Sequence, residues 1–242
     1  MSVRHNEHGQ SLGPLMPEWS ARPLPPRERI EGRYCALEPV NAAKHADDLY
    51  AAYAQAPDGR DWTYLGVERP ADLNTARAHT ERLAQTTDPL HFAVLDRQSG
   101  RAIGTLSLMR IDAANGVIEV GHVNFSPLLK HTPMSTEAQY LLMKLAFDVL
   151  GYRRYEWKCD NFNEPSKRAA ARLGFQAEGL FRQYSIYKGR SRDAAWFSIV
   201  DGEWPALRTA FERWLAPANF DAQGRQRMAL EKFRLPSASS AD

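Results

Sequence analysis

The segment from residue 116 to residue 159 constrains the fold most strongly, because its hydrophobic periodicity changes twice. GVIEVGHVNF has the character of a β-strand, the run after Ser135 repeats apolar residues at helical spacing, and residues 152–159 alternate again as a strand. A strand, a helix and a strand in this order are typical of a crossover between parallel neighbours. We therefore expect a helix over 135–150 to join a parallel pair through a right-handed crossover.

The flanking sequence predicts more strands and helices around this unit. Three strand-like runs separated by turn clusters, the third of them GVIEVGHVNF itself, predict an antiparallel meander, and a helix begins at Asn163 with Pro165 in its first turn and Gly174 past its end. The fold class is therefore α/β (α+β), with a mixed, mostly antiparallel twisted sheet and helices on both faces. The other predicted strands cover 30–37, 91–96, 102–111, 175–187 and 194–200, and the other helices cover 42–54, 71–84 and 203–214.

Composition divides the chain into one domain and two terminal segments. Residues 1–28 are rich in proline and polar residues, which predicts a flexible N-terminal arm. Residues 29–216 form the predicted domain, and residues 217–242 form a C-terminal extension that ends in the small, polar tail LPSASSAD.

Charge and cysteine usage favour a small-molecule partner in a reducing compartment. The net charge is only +2 and no dense basic block appears, so we expect neither nucleic acid nor a membrane as a partner. The first ten residues are polar, and Cys35 and Cys159 are isolated, which together predict a cytoplasmic protein. Neither a CxxC pair nor an HExxH spacing occurs, so we predict no metal.

Three stretches carry short motifs in a fixed order. VIEVGHVNFSPLL has an acidic residue two positions before a glycine and is followed by a helix with Thr-Glu-Ala near its start; NEPSKRAAARLGF has Asn-x-x-Ser and then Leu-Gly-Phe; the last hairpin has Gly-x-x-Arg, Gly and Asp. Together they resemble the acetyl-CoA-binding half of GNAT superfamily enzymes, in particular the branch of bacterial acetyltransferases that modify ribosomal-protein N-termini. The matching residues are Glu119, Gly121, Thr136, Glu137, Ala138, Asn163, Ser166, Leu173, Gly174, Phe175, Gly179, Arg182, Gly189 and Asp193.

The resemblance covers residues 28 to 202 and implies an acyltransferase that moves an acetyl or other short acyl group from acyl-CoA to a primary amine by direct attack. It implies Glu119 and Ser166 as catalytic residues, with Glu119 removing a proton from the amine. Trp62 and Tyr64 correspond to the acceptor site, and the implied partner is an amine-bearing small molecule or a peptide N-terminus. The implied contacts to acetyl-CoA come from Asn124, Phe125, Lys130, Thr132, Ser135, Thr136, Asn163 and Ser166.

Two departures from the family pattern leave an alternative open. The phosphate-binding loop has His131 and Pro133 where the family has glycines, and Ala170 replaces the tyrosine that family members use as a general acid. Either the loop is reshaped, with Lys130 and neighbouring hydroxyls as ligands, or the chain is a catalytically silent acyl-CoA-binding sensor or assembly module. An RNA-binding module is a weaker third reading, because the arginines are scattered and no stacking aromatic motif accompanies them.

Each candidate residue also has a structural explanation. Glu119 is an ordinary exposed carboxylate if its side of the strand faces water, and Asn163 caps a helix without any ligand. Core packing accounts for Trp62 and Tyr64 as well as substrate contact does. His122 and His131 are read as a strand residue and a loop residue without a catalytic role, and a homodimer stays open.

Overall fold

The computed structural model describes residues 4–234, which form one eight-stranded sheet, a separate short hairpin and five α-helices. The strands are β1 (Arg4–His5), β2 (Ser11–Leu12), β3 (Ile30–Glu31), β4 (Cys35–Pro39), β5 (Leu90–Asp96), β6 (Ala102–Asp112), β7 (Val117–Phe125), β8 (Arg154–Asp160), β9 (Gln176–Tyr187) and β10 (Arg190–Val200). The helices are α1 (Ala42–Ala54), α2 (Leu73–Gln85), α3 (Pro133–Lys144), α4 (Glu164–Leu173) and α5 (Trp204–Trp214).

The sheet has the order β3-β4-β5-β6-β7-β8-β10-β9, and every neighbouring pair is antiparallel except β7 and β8. The predicted parallel pair is therefore confirmed, with α3 as its connection. The helix begins at Pro133, two residues before the predicted start, because proline fits the first helical position, where an N–H group has no helical partner. The end of the predicted helix, Leu145–Val149, continues α3 as a π-helical turn.

Helices cover both faces of the sheet, as predicted. On one face, Ala93 and Leu95 of β5 pack with Leu49 of α1 and, at the edge of the cluster, with residues of α2. On the opposite face, the alternate residues Phe92 and Val94 belong to the larger core with α3 and α5. The two-residue period of the strand thus sends consecutive side chains to different helical layers.

The prediction of one continuous strand over residues 30–37 is wrong, because a short loop over residues 32–34 separates β3 from β4. There the carboxylate of Glu137 accepts hydrogen bonds from the backbone N–H groups of Arg33 at 2.7 Å, Tyr34 at 2.6 Å and Cys35 at 2.8 Å. A Cβ on Gly32 would lie 2.7 Å from the same carboxylate. Glu137 therefore provides acceptors for backbone N–H groups that would otherwise be buried without a partner. This structural role explains the glutamate of the Thr-Glu-Ala motif.

Both terminal segments contact the domain within the described residues. In the N-terminal segment, the Trp19 indole donates to the Ala114 carbonyl at 2.8 Å, and the Arg22 N–H donates to the Ala113 carbonyl at 2.9 Å. After α5, the chain returns to α4, where the Arg234 guanidinium donates to carbonyls of the last helical turn. The predicted tail from Leu235 onward lies outside the described residues.

Candidate active site

A gap opens in the sheet where β7 and β8 separate. The two strands pair only from Val117 with Arg154 to Val120 with Trp157. Beyond that point β7 stays paired with β6, and β8 stays paired with β10. Residues 121–125 of β7 therefore present a free backbone edge to the gap, to which an extended ligand can add as a further strand.

Glu119 lies one residue before the separation and is buried, with 4% of its surface exposed. Its carboxylate forms ion pairs with the Lys158 Nζ at 2.8 Å and with the Arg110 Nε at 3.3 Å. Lys158 also contacts the Glu156 carboxylate at 2.9 Å and lies 3.5 Å from the ring centre of Trp196. The alternative that Glu119 is an ordinary surface carboxylate is therefore wrong.

The surroundings of Glu119 make it more basic than a carboxylate in water. Burial raises its pKa, and this effect outweighs the opposing attraction of Lys158 and Arg110. A raised pKa brings a carboxylate closer to the range that proton transfer at neutral pH requires. The site therefore holds a carboxylate that can accept a proton without first losing a water shell.

Glu119 shares one face of the sheet with Ser107 and Gly121, on the side covered by α1 and α2. The Met109 side chain packs over Gly121, where a Cβ would lie 2.2 Å from the Met109 sulfur. The register of β6 and β7 shifts just beyond, and the bulge places His122 in the left-handed region with φ 48°. The missing side chain of Gly121 therefore makes room for Met109 beside the Glu119 carboxylate.

The loop between β7 and α3 presents backbone donors at the helix start. His131 adopts φ 60°, the left-handed conformation that a glycine would take at this position. In the part of the chain that the structure describes, the N–H groups of His131 and Met134 have no backbone acceptor, and Pro133 occupies the first position of α3. These donors and the positive end of the helix dipole suit a phosphate group.

The side chains predicted to bind phosphate make contacts of their own around this loop. The hydroxyl of Thr132 donates to the Leu129 carbonyl at 2.7 Å, and that of Ser135 donates to the Thr132 carbonyl at 2.7 Å. Thr136 accepts from the Arg172 guanidinium at 3.0 Å. Lys130 forms an ion pair with Asp61 in the loop between α1 and α2. The hydroxyl protons of Thr132 and Ser135 are already used within the loop. The backbone N–H groups, Lys130 and Arg172 are therefore better placed to bind an anion.

The start of α4 lies beside the gap from the β8 side. Asn163 caps the helix by accepting the Ser166 N–H at 3.2 Å, and the Ser166 hydroxyl accepts the indole N–H of Trp157 at 3.0 Å. Trp157 is the last residue of β8 that pairs with β7. The structural explanation for Asn163 is therefore correct, and Ser166 links the start of α4 to β8.

The remaining predicted residues differ in burial; they lie on β7 and in the loop between α1 and α2, here called the acceptor loop, which carries Trp62 and Tyr64. Asn124 is buried and Phe125 is half-buried at the end of the free edge. Trp62 is 3% exposed and packs edge-on against Tyr53 beside a cavity of about 240 Å³ between α1 and α2. Tyr64 donates to the Phe162 carbonyl at 3.0 Å, which ties the acceptor loop to the start of α4.

The sequence patterns did not single out Lys158 or Arg172, and His122 was assigned no catalytic role. Their signals were weak, because a charged residue within a strand reads as surface and a histidine within a strand has many explanations. Among the described residues, no group of three or more His, Cys, Asp or Glu side chains is placed to hold a metal ion. Across residues 4–234, none of the helices has both the length and the apolar character that a membrane crossing requires.

Comparison with known proteins gives consistent matches. Residues 36–176 match the family described as "Acetyltransferase (GNAT) domain". A GCN5-related N-acetyltransferase structure from Brucella melitensis is 50% identical, with a TM-score of 0.89, and the match covers 90% of this chain and 99% of that one. A structure of a probable GNAT-family acetyltransferase from Chromobacterium violaceum is 38% identical, with a TM-score of 0.74, over 81% of this chain and 97% of that one. The Bacillus licheniformis protein named "Uncharacterized N-acetyltransferase p20" is 32% identical over 58% of this chain and 80% of its own length.

Proposed function

This chain belongs to the GNAT acetyltransferase family and is an acyl-CoA-dependent N-acetyltransferase, and we propose that it acetylates a primary amine with Glu119 as a proton acceptor. The observation that carries the proposal is the position of this buried carboxylate, one residue before β7 and β8 separate. The amine approaches from the face covered by α1 and α2, because Glu119 faces that side.

The reaction that we propose is a direct attack. The lone pair of the neutral amine attacks the thioester carbonyl carbon, the N–C bond forms, and the C–S bond breaks with its electron pair on sulfur. An amine that arrives as an ammonium ion loses two protons on the way to the amide. One of them finally protonates the departing thiolate and the other reaches solvent, so the site has two proton transfers to support.

Acetyl-CoA fits the residues that are present. The free N–H groups of His131 and Met134 and the charge of Lys130 suit its pyrophosphate, and the unpaired edge of residues 121–125 suits the amides of its pantetheine arm. We assign Asn124 and Phe125 to this edge and Thr132, Ser135 and Thr136 to the wall of the phosphate loop. Asn163 and Ser166 border the same gap from α4.

The catalytically silent alternative rests on the changed phosphate loop and on Ala170. His131 already has the backbone conformation of the glycine that it replaces, which supports binding despite the changed sequence. The loss of the family's tyrosine is tolerable, because a thiol with an unperturbed pKa of about 8.5 leaves largely as the anion. We therefore favour an active transferase over a sensor.

We propose an amine-bearing small molecule or a peptide N-terminus as the acceptor. Trp62 is buried, so we assign it to the wall of the acceptor site, and we assign direct contact to the half-buried Tyr64. Hydrogen bonds from Tyr64 to the Phe162 carbonyl and from Lys188 to the Trp62 carbonyl at 2.8 Å hold the acceptor loop against the start of α4 and the β9–β10 turn.

The test is thiol release from acetyl-, propionyl- and succinyl-CoA in the presence of a panel of amines and short peptides. We expect thiol to be released in an amine-dependent reaction and the acylated amine to appear in equal amount. Binding of acetyl-CoA without thiol release for any amine would identify the sensor instead.

A further inference from the structure

Beside Glu119, the same face of the sheet carries histidines for which the reaction described so far has no role. His122 lies on the bulge of β7, His91 lies on β5, and His79 faces them from α2. The rings of His91 and His122 have centroids 5.1 Å apart. His91 is buried, whereas His122 is exposed at the part of β7 that borders the gap.

The hydrogen bonds of Ser107 define which nitrogen of His122 carries the proton. Ser107 has one hydroxyl proton, and it donates this proton to the Gly121 carbonyl at 3.0 Å. The 3.3 Å contact between the Ser107 hydroxyl and the His122 Nδ1 is then a hydrogen bond only if Nδ1–H donates. This tautomer leaves a lone pair on Nε2, which is the state that a base requires.

We propose that His122 is a second proton acceptor of this active site: its Nε2 takes the proton that an ammonium acceptor must lose before attack, and Glu119 takes the proton that leaves the nitrogen after the N–C bond has formed. This inference rests on the proposed function. In the first step the N–H bond of the ammonium breaks, its electron pair stays on nitrogen, and the imidazole becomes an imidazolium. The exposed ring then returns the proton to solvent.

The difference in exposure is the main argument for this division of roles. Glu119 is enclosed and ion-paired with Lys158 and Arg110, so a proton on its carboxylate has no direct path to water. His122 is open to water and lies on the same face, just past the separation of β7 and β8. In the proposed scheme, His122 passes its proton to solvent, and Glu119 passes its proton to the departing thiolate, which leaves as the neutral thiol.

The groups around His122 keep its imidazole neutral before the reaction. Although the residue keeps access to water, the groups packed around its ring, among them His91 and Ser107, lower the pKa of His122 by desolvation, and the positive charge of Arg110 from β6 lowers it further. Burial lowers the pKa of His91 to about 3, and burial also lowers that of His79, so neither neighbour carries a competing positive charge near neutral pH. Glu119 lies three residues earlier on the same strand, and its negative charge is balanced by Lys158 and Arg110.

The experiment compares His122→Asn with Glu119→Gln in thiol release across a range of pH with an α-amine acceptor. Asparagine tolerates a positive φ, so H122N preserves the backbone of the bulge and removes the base. We expect H122N to lower kcat/KM by on the order of 10²-fold at neutral pH. That defect shrinks as the pH rises toward the amine pKa of about 8, because more acceptor arrives already neutral. The defect of E119Q persists over the same range.

A chemical rescue separates proton transfer from structure. Glycine accepts φ 48° and leaves room for a small base, so His122→Gly should regain activity with added imidazole, and more basic imidazoles should rescue better. The parental enzyme and E119Q serve as controls and should not respond. Melting temperatures of the variants show whether the fold is retained.

The outcomes distinguish the inference from the proposed function. A parental enzyme that releases no thiol with any amine overturns both. If the parental enzyme is active and H122N has the same pH–rate profile as the parental enzyme, only the role of His122 is overturned. The roles are also overturned if the E119Q defect shrinks with rising pH and the H122N defect does not, or if H122G folds but ignores imidazole.

Discussion

Lys130, in the loop that precedes α3, forms an ion pair with Asp61, in the loop that joins α1 to α2. The pair connects the proposed phosphate site to the proposed acceptor site, which are far apart in the sequence. The same acceptor loop is tied to the start of α4 through Tyr64 and to the β9–β10 turn through Lys188. In the proposed complex, the pyrophosphate at Lys130 therefore competes with one of the contacts that hold the acceptor loop.

Replacing Asp61 by Asn should tighten acetyl-CoA binding, because Lys130 no longer has to exchange a carboxylate for a phosphate. A partly exposed ion pair contributes about 0.2–1 kcal/mol, so the Kd should fall by a few-fold at low salt and by less at high salt. Isothermal titration checks this. Asp58→Asn is the matched control, since Asp58 lies in the same loop but pairs with Arg60. An equal effect of both substitutions contradicts the competition.

Replacing Glu119 by Gln should lower the turnover rate by on the order of 10²-fold while acetyl-CoA affinity changes little. The parental rate should also fall as the pH drops through the pKa of Glu119, which burial raises above its ordinary value, because only the ionised form accepts a proton. Steady-state kinetics and a binding titration measure the two effects. Glu156→Gln removes the other partner of Lys158 and should cost much less activity. Parental turnover in E119Q assigns Glu119 a structural role.

Replacing Lys158 by Met should move the acidic limb of the activity profile to higher pH, because Glu119 and Glu156 then face each other without a cation between them. Repulsion between buried carboxylates raises the pKa at which the pair ionises. The Lys158 side chain is 6% exposed, so its loss should lower the free energy of unfolding by about 3 kcal/mol at neutral pH. The loss should be smaller in acid, where a carboxyl group is protonated. Urea unfolding at two pH values measures the loss of stability, and the pH dependence of the rate measures the acidic limb. An acidic limb at the parental pH contradicts the effect of Lys158 on the two carboxylates.

Replacing Asn163 and Ser166 together by Ala should weaken the rise in melting temperature that acetyl-CoA produces. Any ligand that prefers the folded state raises that temperature, and both residues border the proposed site. Loss of the helix cap alone costs about 1 kcal/mol of stability. Asp72→Ala removes the cap of α2, for which no contact with acetyl-CoA is proposed, and should lower the melting temperature without changing the ligand-induced rise. The prediction fails if both variants keep the full rise.

Replacing Glu137 by Gln should destabilise the fold by about 2 kcal/mol, since hydrogen bonds to a charged acceptor contribute roughly that much and the amide turns donors toward N–H groups. Urea unfolding measures the loss. Acetyl-CoA affinity of the folded variant should remain near the parental value, because this carboxylate is fully used by the loop before β4. A large loss of affinity without a loss of stability contradicts the structural role.

Local sequence patterns determined most of the elements of this protein. The helix α1 runs over the predicted residues, α4 has Asn163 as its cap and Gly174 at φ 103° after its end, and the meander and the parallel pair lie where periodicity predicted them. These features depend on residues close in the chain, so their signals are readable without the fold. The motifs likewise led to the family and to Glu119 as the candidate carboxylate.

The tertiary structure decided how those residues act. Glu137 breaks the first predicted strand from about a hundred residues away in the chain, and Lys158 meets Glu119 only because β8 lies parallel to β7. The exposure of His122 follows from a bulge whose register shift depends on β6. Burial, ion pairing and the pKa of a side chain depend on neighbours that the fold brings together, and a linear pattern records only the neighbours along the chain.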